Sequence, residues 1–225
     1  MSTAGSDYDV LAGVFLAWWR ELQSLTKSGK PILILGAPKP PNRKALAELR
    51  RINTVSEAGR DVVDIGRALG SDAFRDLLLR LNSSDLHTQS KVRAWLGEGS
   101  PQLEPFAIAA ATLARIREDS SVATGRPGAT ARLLGEGFPD THVFAEPRFK
   151  RLLRCRDDWP DLIAQARRVA AILERKAPIG DLSASLVLWN VEPRIRRDWA
   201  FQYYQRSFAA PDVSPAIDTK ASPST

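Results

Sequence analysis

Sulfur and histidine are both scarce in this chain. Among 225 residues there is one cysteine, Cys155, so no internal disulfide can form; such sparing use of cysteine fits a reducing compartment. The two histidines, His87 and His142, lie far apart in sequence, and neither has a companion cysteine or an i,i+4 partner. That spacing offers no metal-ligand set, and no cofactor is expected. The stretch GRPGATARLLGEG holds glycines but not the GxxxxGK[ST] spacing of a phosphate-binding loop. Asp157 and Asp158 are adjacent carboxylates at a helix start, where acids favour the macrodipole, so they need no catalytic explanation. Arg154 and Arg156 flank Cys155 and would lower its thiol pKa, but with no histidine near it in sequence an inert helical thiol is the simpler reading. No catalytic constellation emerges, and an enzyme is not expected. No apolar run approaches the roughly 18–20 residues of a membrane span. No N-terminal segment combines a basic start, an apolar stretch and a small-residue cleavage site, so the expected location is cytoplasmic.

What the chain does have is ordinary core-forming material and an excess of cations. Hydrophobic residues make up 44% and charged residues 26%, enough for a buried core in one sizeable domain or two small ones. Lys and Arg number 32 against 26 Asp and Glu, a net charge of +6. That balance points to a polyanionic partner, nucleic acid first.

The hydrophobic spacing is helical almost throughout. Leu11, Phe15, Trp18, Leu22 and Leu25 form one stripe over 8–25. The run ILILGAPKPP, 32–41, has a strand-like composition. Its prolines favour a packed loop or an edge segment over a central strand. Asn42 can cap a helix starting at Arg43, and further helices are predicted near 57–69, 71–81, 84–96 and 103–117. The Ser-, Gly- and Pro-rich segment 119–130 is the best internal boundary. Beyond it, helices are predicted at 131–134, 146–154 and 158–176. Asp181 would cap 182–189, and Pro193 opens 194–208. The tail 209–225 is rich in Pro and Ser and is expected to be disordered. The predicted fold is all-α, about nine helices in two packed bundles, 8–118 and 131–208, with no internal repeat.

Two features bear on binding. In EPRFKRLLRCR, 146–156, helical spacing puts Arg148, Lys150 or Arg151, and Arg154 on one side, with Phe149, Leu152 and Leu153 on the other. Arg167 and Arg168 lie on the polar face of the next helix. If the two helices form a hairpin, these cations join into one patch, and Arg50 and Arg51 make a second cluster. Rows of cations at helical spacing can follow a sugar-phosphate backbone without reading bases. The competing reading is a solvated face with local ion pairs to Glu146, Asp157 and Asp161. The tryptophans are the second feature. Trp18, Trp95, Trp159, Trp189 and Trp199 fall on or beside apolar stripes and read as core. Trp19, beside the first stripe, is the one expected to be exposed, for example at a subunit interface.

Four passages resemble CasB, the small-subunit family of the type I-E CRISPR surveillance complex Cascade. VFLAWWRELQ resembles that family's aromatic-rich first helix, and ALAELRRINTVSEA its L-R-R segment. GATARLLGEG followed by EPRFKRLLRCRD resembles its R-F-x-x-L-L-R passage. DLSASLVLWNVEPRIRRDWAFQYYQR resembles its closing pattern of tryptophans and paired tyrosines. The insert GKPILILGAPKPPN is longer and more apolar than the family pattern. The resemblance implies an all-helical, non-enzymatic subunit present as two copies packed head to tail. Its partners would be the backbone and large subunits of Cascade, the guide RNA and the target and displaced DNA strands, with no membrane. It implies stabilisation of the opened R-loop, with cleavage left to a separately recruited helicase-nuclease. Sequence-blind cations suffice for such a task, because base pairing with the guide supplies specificity. On this reading Arg148, Arg151, Arg154, Arg167 and Arg168 neutralise phosphates, supported by Lys150, Arg50 and Arg51. A helical transcription regulator is the alternative, but its nearest helix-turn-helix stretch, 92–97, lacks a convincing recognition helix. A purely structural adaptor is the third possibility.

Overall fold

A computed structural model describes residues 4–87, 90–97, 101–120, 127–136, 143–173 and 175–205, with side chains from residue 7 onward. Eleven helices and three two-stranded pairings are found among them. The fold is all-α in its framework, with two more helices than anticipated. Two of the eleven, α3 (Ile65–Leu69) and α5 (Lys91–Trp95), are each little more than a turn. The core expected from composition is present. One hydrophobic cluster takes in side chains from Tyr8 to Tyr203, on both sides of segment 119–130. Residues 121–126 of that segment and the tail 209–225 lie outside the described residues, as does His142.

Two helices form the centre. In α6 (Glu104–Leu113) every residue from Pro105 onward is buried, and in α10 (Ile179–Leu188) only Gly180 is not fully so. A helix buried all round must satisfy its own polar side chains. Thr112 and Ser183 do so by donating to the carbonyls of Ile108 and Ile179, at 2.7 and 2.8 Å. Ser185 accepts from Trp199 Nε1 at 2.9 Å. Around this pair lie α1 (Ala4–Leu22), against α10, and α9 (Trp159–Ile172), against α6. Gly180 allows the close approach of α1: a Cβ there would sit 3.2 Å from the Cβ of Ala12. The second face of α1 meets α4 (Asp72–Asn82), with Trp18 Nε1 donating to Ala73 O at 2.9 Å. Flanked on two sides, α1 buries Trp19 completely, so the expected exposed tryptophan belongs to the core.

Several helix starts follow the sequence. Asn42 accepts from Ala45 N at 3.1 Å and caps α2 (Arg43–Arg50), Asp158 accepts from Asp161 N at 2.9 Å and caps α9, and Pro193 opens α11 (Pro193–Tyr204). Asp181 does something different from capping its own helix. Helix α10 begins earlier, at Ile179, and the Asp181 carboxylate accepts from Gly128 N (2.8 Å), Thr130 N (2.7 Å) and Tyr8 Oη (2.5 Å). It therefore caps α7 (Ala129–Leu134) and ties α1, α7 and α10 together. Gly128 takes φ = 105° at this junction, a left-handed geometry that favours glycine.

Three expected elements differ. The stretch 57–69 is not one helix: Thr54–Glu57 (β3) pairs antiparallel with Arg60–Val63 (β4), followed by α3. The β-branched residues Thr54, Val55, Val62 and Val63 suit strands, and Ala58 and Gly59 turn the chain with φ of 49° and 77°. Within 84–96, α5 is the only helix among the described residues. The stretch 32–41 is neither packed nor an edge of a larger sheet. It is a hairpin of Leu33–Ile34 (β1) and Ala37–Pro38 (β2), exposed along both strands and held at its base by Ile32 N donating to Ser24 O at 2.9 Å and Ser24 Oγ donating to Pro40 O at 2.7 Å. The last pairing is parallel, Glu118–Asp119 (β5) with Lys176–Ala177 (β6), and joins the exit of α6 to the entry of α10.

The closing aromatic passage builds the C-terminal core. Trp189 and Trp199 meet edge to face at 5.0 Å, and Trp189 Nε1 donates to Cys155 O at 3.0 Å. Tyr203 stacks on Phe149 of α8 (Glu146–Arg154) at 3.8 Å and donates to Phe144 O at 2.5 Å.

Candidate nucleic-acid interface

The anticipated cations fall into two groups. On α8, Arg148, Lys150, Arg151 and Arg154 are all exposed, while Phe149 and Leu152 are buried, as the helical spacing predicts. Lys150 pairs with Glu146 at 2.7 Å and Arg151 with Asp161 at 3.1 Å. Arg148 and Arg154 have no ion pair among the described residues. Helices α8 and α9 touch at the first turn of α9 rather than along a hairpin. There Asp161 accepts from Arg151, from Gln165 Nε2 at 2.9 Å and from the Cys155 thiol at 3.2 Å. Burial opposes ionisation of Asp161, but these bonds outweigh it and hold its carboxyl below the usual carboxylate range. Arg168 joins the chain by donating to Gln165 Oε1 at 3.1 Å. Arg151 and Arg168 are thus linked through Gln165 and Asp161. The same site sets the state of Cys155: burial, then the hydrogen bond to Asp161, pushes the thiol up to about 12. Arg154 and Arg156 do not activate it, and the inert reading holds.

Arg167 belongs to the other group. It reaches away from α8 and donates to Asn53 Oδ1 at 2.5 Å and to Ile52 O, just beyond the end of α2. The C-termini of α2 and α6 converge at this place. Arg50, the last residue of α2, donates to Ala114 O at 2.6 Å and so satisfies the end of α6. Arg115, just past α6, returns a bond to Arg50 O at 3.2 Å. Unpaired carbonyls at helix C-termini carry partial negative charge, so each helix end attracts the other's guanidinium.

This exchange gathers like charges. Arg50 lies within electrostatic reach of Arg115, Arg117 and Arg175, and Arg167 within reach of Arg115. Burial first, then these neighbouring cations, lowers the pKa of both Arg50 and Arg167. Both remain charged at neutral pH, because arginine starts so high. Among the described residues no carboxylate lies within ion-pair distance of any of the five. Glu118, next to Arg117, pairs with Lys176 at 3.7 Å, and Asp119 pairs with Arg20 at 3.4 Å; Glu174, next to Arg175, lies outside the described residues.

The cluster opens onto two adjoining grooves that meet at Arg117. One, of ≈ 550 Å³, runs past Arg43, Leu46 and Arg50. The other, of ≈ 540 Å³, runs past Arg175, Lys176, the carboxylates Glu118 and Glu136, and an apolar wall that includes Leu133 and Ile172. Arg50 and Arg51 are among the anticipated residues, and Arg51 is exposed beside its neighbour. Arg115, Arg117 and Arg175 are not. The signal that points to them is the R-x-R at 115–117, directly after the last buried turn of α6. No group of three or more His, Cys, Asp or Glu that could hold a metal occurs among the described residues, and no described helix is long and apolar enough to cross a membrane.

A family model described as CRISPR-associated protein Cse2 matches residues 45–204. Comparison with curated proteins and with solved structures returns no match. The matched range begins within α2 and ends with α11, so it takes in the arginine cluster and the C-terminal aromatic core and leaves out α1 and the β1–β2 hairpin. Matched over most of its length, the chain belongs to the Cse2 family, the CasB small subunits of type I-E Cascade.

Proposed function

We propose that this Cascade small subunit grips the sugar-phosphate backbone of target or displaced DNA beside the guide RNA, and that Arg50, Arg115, Arg117, Arg167 and Arg175 form the centre of that grip. The family assignment supports membership of the complex. The observation that carries the binding reading is the convergence of five guanidiniums with no described carboxylate in ion-pair reach. A phosphate arriving there relieves like-charge crowding and occupies donors that the helix ends leave free. Phosphates spaced along one strand can engage both grooves in succession, with Arg117 shared between them. No base-reading chemistry is required, since the guide supplies sequence. Arg148, Arg154 and Arg168 extend the positive surface along α8 and α9. Arg151 and Lys150 contribute less, because Asp161 and Glu146 already hold them. The role is mechanical: the subunit stabilises the opened R-loop and makes or breaks no covalent bond. A second copy of the chain and the other Cascade subunits are its protein partners.

A displaced-strand protection assay tests this. Complexes carrying the wild-type chain or the Arg117→Gln/Arg175→Gln variant are bound to target duplex and exposed to a single-strand nuclease. Neither side chain makes a hydrogen bond to a described residue, so the fold is unaffected. The wild type is expected to protect the displaced strand and the variant to expose it. Equal protection by both would remove the cluster from the interface and leave its arginines as caps of two helix ends.

A further inference from the structure

The hairpin between α1 and α2 lies outside the matched family range; its base is tied to buried Ser24 by Ile32 N and Pro40 O, and its tip stands clear of the chain. Leu33, Ile34 and Leu35 are 62%, 53% and 104% exposed, three consecutive aliphatic side chains standing in water. Leu35 also takes φ = 51°, beside Gly36 at 82°, in a two-residue turn where Asn or Gly is the usual occupant. A branched side chain in the left-handed region is strained, and exposing it adds an apolar surface with no contact to offset the strain. The stalk is purely cationic. Between Leu22 and Ala47 there are Lys27, Lys30, Lys39, Arg43 and Lys44 and no acidic residue.

We propose that this hairpin is a docking prong. It seats Leu33, Ile34 and Leu35 in an apolar, carboxylate-rimmed pocket on a neighbouring, different protein subunit of the same complex. Exposed apolar patches with a polar surround mark protein contacts, and the uncompensated lysines select a partner rim of opposite charge. Nucleic acid fits the tip less well. Strand-binding surfaces stack bases on aromatic rings, and no aromatic residue occurs between Trp19 and Phe74. The inference rests on the family assignment but not on the arginine cluster, and the two fail in different assays.

The test uses full-length chains co-expressed with the other Cascade subunits. One variant is Leu33→Ser/Ile34→Ser/Leu35→Asn, and a second is Lys30→Glu/Lys39→Glu. Native mass spectrometry reads how much of this chain the assembled complex retains on dilution. Because the tip side chains are exposed and Lys30 and Lys39 make no ion pair among the described residues, both variants are expected to melt like wild type. The tip variant is expected to weaken retention about tenfold or more, since burying one such side chain is worth at least a decade in affinity. The stalk variant is expected to weaken it less, and less still at high salt. Unchanged retention of the tip variant overturns the proposal. So does retention that is unchanged while self-association of the isolated chain, or DNA affinity of the assembled complex, falls instead. Those outcomes would assign the prong to a second copy or to nucleic acid.

Discussion

Replacing Asp181 with Ala perturbs the fold at its most concentrated polar junction. The carboxylate is 7% exposed and accepts three hydrogen bonds, from Tyr8 Oη, Gly128 N and Thr130 N. Truncation leaves two backbone donors at the start of α7 without a partner and the Tyr8 phenol with Ser185 alone. A hydrogen bond to a charged group is worth about 1.5–3 kcal/mol, and each buried donor left unsatisfied costs about 1–3 kcal/mol. The three bonds share one acceptor group and do not add, so the expected loss is about 3–5 kcal/mol. For a chain of this size that is a fall in Tm of roughly 6–20 °C. Tyr8→Phe removes one bond and leaves the carboxylate with both backbone amides, so about 1 kcal/mol is expected. Thermal and denaturant unfolding of the two single variants and the double variant read these values. In the double variant the loss should fall short of the sum, because both single variants remove the same Tyr8–Asp181 bond. A loss under about 1 kcal/mol for Asp181→Ala, in a protein that keeps its helical spectrum, would refute the reasoning.

Other consequences follow from the buried titratable groups. Cys155, pushed up to about 12 by burial and Asp161, holds only about one thiolate in ten thousand at pH 8; an alkylating reagent should label it in unfolded chain and leave the folded chain almost untouched, and fast labelling of folded protein would contradict the buried geometry. Burial raises all three tyrosines, Tyr203 and Tyr204 to about 12 and Tyr8 further. Their contribution to stability is complete below the unfolded tyrosine pKa of about 10 and is lost as pH rises from there toward 12, because only the unfolded chain ionises early. The denaturant midpoint should therefore fall steeply across that alkaline window, while phenolate absorbance appears only with unfolding; free titration of tyrosine in folded protein would contradict this.

Much of the framework is legible in the sequence because helix caps and apolar stripes are local signals. Asn42, Asp158 and Pro193 mark starts that the structure reproduces, and the face of α8 divides as its spacing requires. The failures are of two kinds. Over 57–69 a helical period runs through a stretch whose Val55, Val62 and Val63, placed around Ala58 and Gly59, carry strand and turn preferences. At Trp19 the stripe is real but is not the only buried face. Periodicity cannot report that α10 and α4 cover α1 on two sides. The same limit explains Asp181, an acid suited to capping its own helix that serves α7 instead. It also explains the arginine cluster, which draws on α2, the exit of α6, α9 and the turn before β6. The aromatic passages that carry the family resemblance are mostly core: Trp189, Trp199 and Tyr203 hold α8, α10 and α11 together. They identify the scaffold, whereas the cations that would do the binding are dispersed along the sequence.

The most direct test of the phosphate-binding claim is the salt dependence of target DNA binding by the assembled complex. Each phosphate contact to a single strand contributes about 0.7 to the slope of log affinity against log salt. Loss of Arg117 and Arg175 together should flatten that slope by about 1.4, with no change in melting temperature. A slope identical to wild type would contradict the account.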